Sequence, residues 1–170
     1  MLLLINGSTR ANSTNGAALA AIADQLDEAV QYLGLAELPQ FNPDLDGDAL
    51  PTLADDLRRA IGAADALLFC TPEYAGALPG ACKNLLDWTI GGGQMSGKPV
   101  GWINTSDRGA AGAYAELATV LRYADTRIVE AACARIVVSR SAVDDGGRIT
   151  DPALIEQLTA VARTLLTAAG

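Results

Sequence analysis

The segment Gly7-Ser8-Thr9-Arg10-Ala11-Asn12-Ser13-Thr14-Asn15 gathers four hydroxyls around one guanidinium and runs into a stretch with helical spacing. The first N–H groups of a helix have no partner inside it, and the helix dipole favours negative charge there. Hydroxyls and an arginine at such a point can hold a phosphate monoester. No other Lys or Arg occurs before Arg58, so Arg10 is placed inside this loop in an otherwise cation-free stretch.

A second segment runs from Thr71-Pro72-Glu73-Tyr74-Ala75-Gly76-Ala77-Leu78-Pro79-Gly80 to Lys83, Asp87 and Trp88. Its prolines and glycines make a rigid loop in which backbone can approach a planar ligand, with an aromatic alongside. Tyr74 and Trp88 also suit packing or subunit contact, and Lys83 with Asp87 suits a surface ion pair one helical turn apart.

Other chemistries are excluded by what is missing. There is no histidine, and Cys70, Cys82 and Cys133 form no CxxC pair. A disulfide framework, a zinc site and a Ser-His or Cys-His nucleophile are therefore not expected. Cys70 and Cys133 read as core thiols, and Cys82 has no activating base. Gly92 to Lys98 matches GxxxxGK, but Pro99 stands where a metal-binding hydroxyl is needed and a strand comes next, so the match is read as chance. No GxGxxG comes after the first strand, which disfavours a dinucleotide site of the usual Rossmann kind.

These loops need elements to position them. The chain has 170 residues and 17.5 kDa, the size of one domain, so residues 1–170 are read as a single unit. Its net charge of −8 and pI near 4.4 oppose binding to nucleic acid or an anionic membrane surface. Apolar runs stay well short of the roughly 20 residues that cross a bilayer, and a soluble, cytoplasmic protein is expected.

Short apolar runs at Met1–Asn6, Val30–Leu35, Ala66–Thr71 and Pro99–Asn104 read as buried strands. Amphipathic spacing predicts helices over Thr14–Glu28, Thr52–Ala63, Ala81–Thr89, Ala113–Ala124 and Pro152–Ala168, with Ser13 and Asp151 as caps. Glu37–Pro51 reads as a surface connection. Arg127–Ala132 and Ile136–Ser139 read as extended, and Asp144–Gly147 as a hairpin-like turn. Alternating strands and helices predict an α/β, flavodoxin-like doubly wound five-stranded parallel sheet of order 2-1-3-4-5. Its ligand crevice lies at the carboxyl ends of strands 1 and 3.

The two loops together resemble the NADPH-dependent FMN reductase family, which includes flavin-dependent quinone, chromate and azo-dye reductases. Gly7, Ser8, Arg10, Ser13 and Asn15 match its G-S-x-R-x-x-S-x-N pattern, and Pro72 to Trp88 match P-E-Y-x-x-x-x-P-G-x-x-K-N-x-x-D-W. The resemblance implies noncovalent FMN, with NADPH or NADH as co-substrate. The electron acceptor would be a small molecule such as a quinone, free flavin, azo compound or metal oxyanion. It also implies a homo-oligomer, dimer or tetramer.

Carried over residue by residue, Ser8, Arg10, Ser13, Thr14 and Asn15 would hold the FMN phosphate. Pro72, Glu73, Tyr74, Ala75, Gly76 and Ser106 would line the isoalloxazine. No dedicated catalytic residue and no metal ligand are expected, since hydride transfer through a flavin depends on positioning more than on a side-chain base. Arg108 is a candidate for steering an anionic co-substrate or acceptor. The chain departs from the family at Ala75 and Ala77, commonly Asn and Ser, at Cys82, commonly aliphatic, and in the less glycine-rich Asp107–Gly112. The alternative reading is a flavodoxin-type electron carrier without nicotinamide turnover.

Overall fold

Each short apolar run becomes a strand because a five-residue segment buried on both faces satisfies its backbone only by pairing sideways. A computed structural model describes residues 1–170. Strands Leu2–Asn6 (β1), Ala29–Tyr32 (β2), Ala66–Cys70 (β3), Pro99–Asn104 (β4) and Arg127–Arg135 (β5) form one parallel sheet in the order β2-β1-β3-β4-β5, as expected. The connecting helices are Thr14–Ala23 (α1), Thr52–Ala63 (α2), Gly80–Ile90 (α3), Ala111–Tyr123 (α4) and Pro152–Ala169 (α5).

Strand side chains alternate between two cores. Leu3, Ile5, Leu67, Phe69 and Val100 pack under α2, α3 and α4 through Leu57, Ile61, Leu85, Leu117 and Leu121. Leu2, Leu4, Leu68, Cys70 and Ile103 pack under α1 and α5 through Leu19, Ile22, Leu158 and Leu165. No helix is long and apolar enough to cross a membrane.

Several boundaries differ from the sequence expectation. Helix α1 stops at Ala23, not Glu28, because Asp24, Asp27 and Glu28 would crowd its negative dipole end; Gln25 and Leu26 N–H instead close back on the Ile22 carbonyl. Strand β2 accordingly starts one residue early and ends at Tyr32, opposite Ile5. The two extended pieces expected near the C-terminal third are one strand, β5, plus a non-strand extension. Its register against β4 shifts between Val100 and Trp102, where a Cβ on Gly101 would sit 2.6 Å from the Ala132 carbonyl oxygen. Ile136 and Val138 then donate to the Asn104 and Thr105 carbonyls, so the chain continues beside β4 past the end of the strand. The Asp144–Gly147 turn does close a bridge between Val143 and Ile149.

Cys70 and Cys82 are fully buried, but Cys133 is half-exposed on the edge strand and is not the core thiol expected. Burial pushes the Cys70 and Cys82 thiols from 9.0 to about 12. Burial, then the charges of Asp56 and Glu37, push the Tyr32 phenol from 10.0 to about 12. A folded-state pKa above the unfolded one contributes stability that is whole below the unfolded value and lost as pH rises through the folded value. Denaturation midpoints should therefore hold to about pH 9 and fall steeply towards pH 12. Iodoacetamide at pH 8 should spare Cys70 and Cys82 in the native protein and label them in urea, read by mass spectrometry. Native labelling of either thiol would contradict this burial.

Candidate functional site

The carboxyl ends of β1, β3 and β4 open onto one cavity of about 790 Å³. After β1, the Ser8 N–H donates to Asn6 Oδ1 at 3.0 Å and the Arg10 N–H to Ser8 Oγ at 3.2 Å, a pair of side-chain turns that fixes the loop. Ser13 caps α1 by accepting from the Gly16 N–H at 3.0 Å. The N–H groups of Thr14 and Asn15 have no acceptor in the chain and stand free at the helix start.

After β3, Tyr74 and Ala77 exchange both backbone hydrogen bonds around Ala75 and Gly76, whose φ values are 53° and 77°. This is a two-residue hairpin of the mirror-image type, which requires positive φ at both central residues. The N–H groups of Ala75 and Gly76 are left without acceptors. The hairpin is tied to α4 from both sides. Glu73 Oε2 accepts from the Ala113 N–H at 3.0 Å, and Glu116 Oε2 accepts from the Leu78 N–H at 2.7 Å. Gly112 lies against the hairpin so closely that a Cβ there would overlap the Gly76 carbonyl oxygen.

After β4, the turn chemistry of β1 recurs. The Ser106 N–H donates to Asn104 Oδ1 at 3.0 Å and the Arg108 N–H to Ser106 Oγ at 3.2 Å. Beneath the cavity floor, Asn15 Oδ1 accepts from Cys70 Sγ at 3.3 Å and from Thr105 Oγ1, joining all three loops. The Tyr114 hydroxyl accepts from the Thr71 N–H at 3.2 Å and donates to the Ile103 carbonyl at 2.6 Å; burial pushes this phenol upward.

All eleven residues expected at the site line this cavity: Ser8, Arg10, Ser13, Thr14 and Asn15 on one side; Pro72, Glu73, Tyr74, Ala75 and Gly76 on another; and Ser106 on the third. Two carry side chains already engaged. The Asn15 carboxamide oxygen turns into the floor, and the Glu73 carboxylate serves α4. Sequence reasoning missed Asn12, Thr71, Thr105, Ser139 and Arg140, which also line it. The turn that holds Thr105 had a signal, since Ile103, Asn104, Ser106 and Arg108 repeat Ile5, Asn6, Ser8 and Arg10; Arg140 had no local signal. Lys98 is away from the cavity and donates to the Ala64 carbonyl, so the GxxxxGK match has no phosphate site behind it.

The donor set fits FMN. Free N–H groups, hydroxyls and a guanidinium gather at one end for a phosphate, and two free N–H groups on a rigid hairpin stand at the other for the polar edge of a ring.

Known proteins agree with this architecture. The chain is 31% identical over 156 residues to an NAD(P)H-dependent FMN reductase of Pseudomonas aeruginosa, covering 88% of this chain and 84% of that one. It is 33% identical over 156 residues to a 2-hydroxy-1,4-benzoquinone reductase of a Burkholderia species, covering 87% and 84%. The solved structure of FerB, a flavoenzyme NAD(P)H:(acceptor) oxidoreductase from Paracoccus denitrificans, superposes with a TM-score of 0.79 at 31% identity over 96% of this chain and 94% of that one. Residues 1–141 match the family described as NADPH-dependent FMN reductase, and with the flavodoxin-like sheet order and these relatives, the chain belongs to that family.

Proposed function

We propose that this protein is an NAD(P)H-dependent oxidoreductase that holds FMN in the cavity at the ends of β1, β3 and β4 and reduces a small acceptor such as a quinone. FMN and a nicotinamide reductant are the family's equipment. The quinone class is supported by the Burkholderia relative, and azo compounds by an NADPH azoreductase among the similar proteins. The observation that carries the reading is the placement of Arg10 and the free Thr14 and Asn15 N–H groups on the same cavity as the Tyr74–Ala77 hairpin.

FMN held there would supply hydride-transfer chemistry between a nicotinamide and a small acceptor. The chain's own contribution is placement. Ser8, Arg10, Ser13 and Thr14 would anchor the phosphate, with the Asn15 N–H added. The N–H groups of Ala75 and Gly76 would meet the electron-rich edge of the ring, a fixed dipole where negative charge develops. Pro72, Tyr74 and Ser106 would set its plane. No side chain is assigned a catalytic proton transfer.

The proposal includes one domain over residues 1–170, a cytoplasmic location and a homo-oligomer. Three unpaired cysteines support the location.

Anaerobic mixing of FMN-loaded protein with NADPH tests the function directly. Prompt bleaching of the flavin absorbance is expected; a bound flavin that stays oxidised would replace the reductase with an electron carrier. Arg10→Ala should weaken FMN binding by roughly tenfold to a hundredfold, the worth of one charge-assisted hydrogen bond, as read by flavin fluorescence titration. Unchanged affinity would remove Arg10 from the phosphate site.

A further inference from the structure

We infer that the β4 side of the cavity is a second anion subsite, built by Arg108 and Arg140, which takes the phosphate that distinguishes NADPH from NADH. The inference rests on the oxidoreductase reading above and deepens it.

The first observation is where charge has been left unpaired. Of the 12 basic residues, eight bond through their charged groups to carboxylates or backbone carbonyls. The remaining four are Arg10, Arg108, Arg122 and Arg140, and three of these line one cavity. Acidic residues number 20 in the chain, so neutralising partners are plentiful. Guanidiniums without them, collected on one concave surface, are a site for an anion. The carboxylates lining the cavity are Glu73, whose Oε2 accepts from α4, and Asp107, which forms no ion pair with any of the three arginines.

The second observation is the duplicated turn. Asn6-Gly7-Ser8-Thr9-Arg10 and Asn104-Thr105-Ser106-Asp107-Arg108 end β1 and β4, the two strands that flank β3, with the same two hydrogen bonds, at 3.0 and 3.2 Å in both copies. Each presents its arginine to the cavity. The second copy is braced further: Arg135 donates to the Ser106 carbonyl at 3.1 Å and to the Asp107 carbonyl at 2.8 Å. Val138, bonded to the Thr105 carbonyl, holds the chain beside this turn two residues before Arg140, which lines the same cavity.

The copies lead into different helix starts. The first runs into α1, whose opening N–H groups are free, which suits a resident phosphate. The second runs into α4, where the Ala113 N–H is already taken by Glu73. No residue of α4 lines the cavity, so the second anion is left to the guanidiniums of Arg108 and Arg140, which suits a group that arrives and leaves with each turnover. The cavity of about 790 Å³ is lined by Arg10 after β1 and by Arg108 and Arg140 beyond β4, so the two anion positions lie on different parts of its wall. A phosphate monoester dianion matches two guanidiniums.

The test uses FMN-loaded protein and two nucleotides that differ by that phosphate, adenosine 2′,5′-bisphosphate and adenosine 5′-monophosphate, titrated calorimetrically at low salt. The bisphosphate should bind at least about tenfold tighter, the lower value for a charge-assisted contact. The Arg108→Ser, Arg140→Ser double variant should lose that difference while FMN affinity stays within about twofold. Its NADPH-over-NADH ratio in kcat/KM should fall by about the same factor. Equal binding of the two nucleotides by the unaltered protein would overturn the inference, and so would FMN loss in the double variant. If neither nicotinamide reduces the loaded protein while the nucleotide difference and its loss persist, the oxidoreductase reading fails and the anion subsite stands.

Discussion

Gly112→Ala should lower FMN affinity by tenfold or more and destabilise the protein by about 1–3 kcal/mol, the usual cost of forcing a side chain into filled space. Helix propensity alone predicts the opposite sign. Gly112 lies inside α4, where exchanging Gly for Ala ordinarily gains about 1 kcal/mol. The local geometry outweighs that gain because a Cβ at Gly112 would overlap the Gly76 carbonyl oxygen and stand 3.1 Å from Glu73 Oε2. Backbone on both sides has to move, and the first thing displaced is the hairpin that offers its N–H groups to the cavity. Gly80→Ala, at the start of α3 with open space around the new methyl, is the control and should leave both quantities nearly unchanged. A thermal midpoint that rises with FMN affinity intact would show that the contact between α4 and the hairpin does not hold the site.

That contact explains why α4 belongs to the site although its side chains are mostly core. Glu73 and Glu116 cross over between hairpin and helix, each accepting from the other's backbone. Such charge-assisted bonds are worth about 1.5–3 kcal/mol apiece when partly buried. They fix a loop that carries two consecutive residues at positive φ, one of them the non-glycine Ala75. Asn tolerates this conformation better than Ala, which gives a local backbone reason for the Asn common at that place in the family.

The centre of the sheet was readable in the sequence because β1, β3 and β4 are continuous apolar runs closed by loop signals, and the strands fall where those runs fall. Helix α2 and strand β4 match to the residue. What failed was set by effects that apolar spacing does not carry, one local and one between distant segments. The end of α1 depended on acidic residues meeting a helix dipole, and the course of β5 depended on Gly101 admitting the Ala132 carbonyl. The site divides in the same way. Ser8 to Asn15 and Pro72 to Gly76 are contiguous segments with their own turn chemistry, so their residue types announced them. Arg140 reaches the cavity only because Val138 pairs with Thr105 after the strand has ended. The inward turn of the Asn15 oxygen depends on Cys70 and Thr105, which no local pattern connects to it.

Asp46→Ala should destabilise the protein by about 3–5 kcal/mol without touching the cavity, because it strips the partner from a buried guanidinium. The Arg58 side chain is 10% exposed and Asp46 16%, with Nη2 to Oδ1 at 2.5 Å. Arg58 Nε also donates to the Trp88 carbonyl at 2.7 Å. The 37–51 connection, read from sequence as surface, is pinned to α3 through this pair. It is also pinned through the Pro39 carbonyl, which accepts from Trp88 Nε1 at 2.8 Å and Asn84 Nδ2 at 3.0 Å. At about 2–4 °C per kcal/mol for a chain of this size, the melting midpoint should drop by roughly 6–20 °C. Replacing both partners with apolar residues, Asp46→Leu with Arg58→Met, removes the stranded charge along with its partner and should recover a good part of the loss. A double variant as unstable as Asp46→Ala would mean that the pair contributes through its hydrogen bonds to α3 rather than through mutual neutralisation. FMN affinity is the internal check, since neither residue reaches the cavity. Stability should fall while cofactor binding, measured well below the new midpoint, holds.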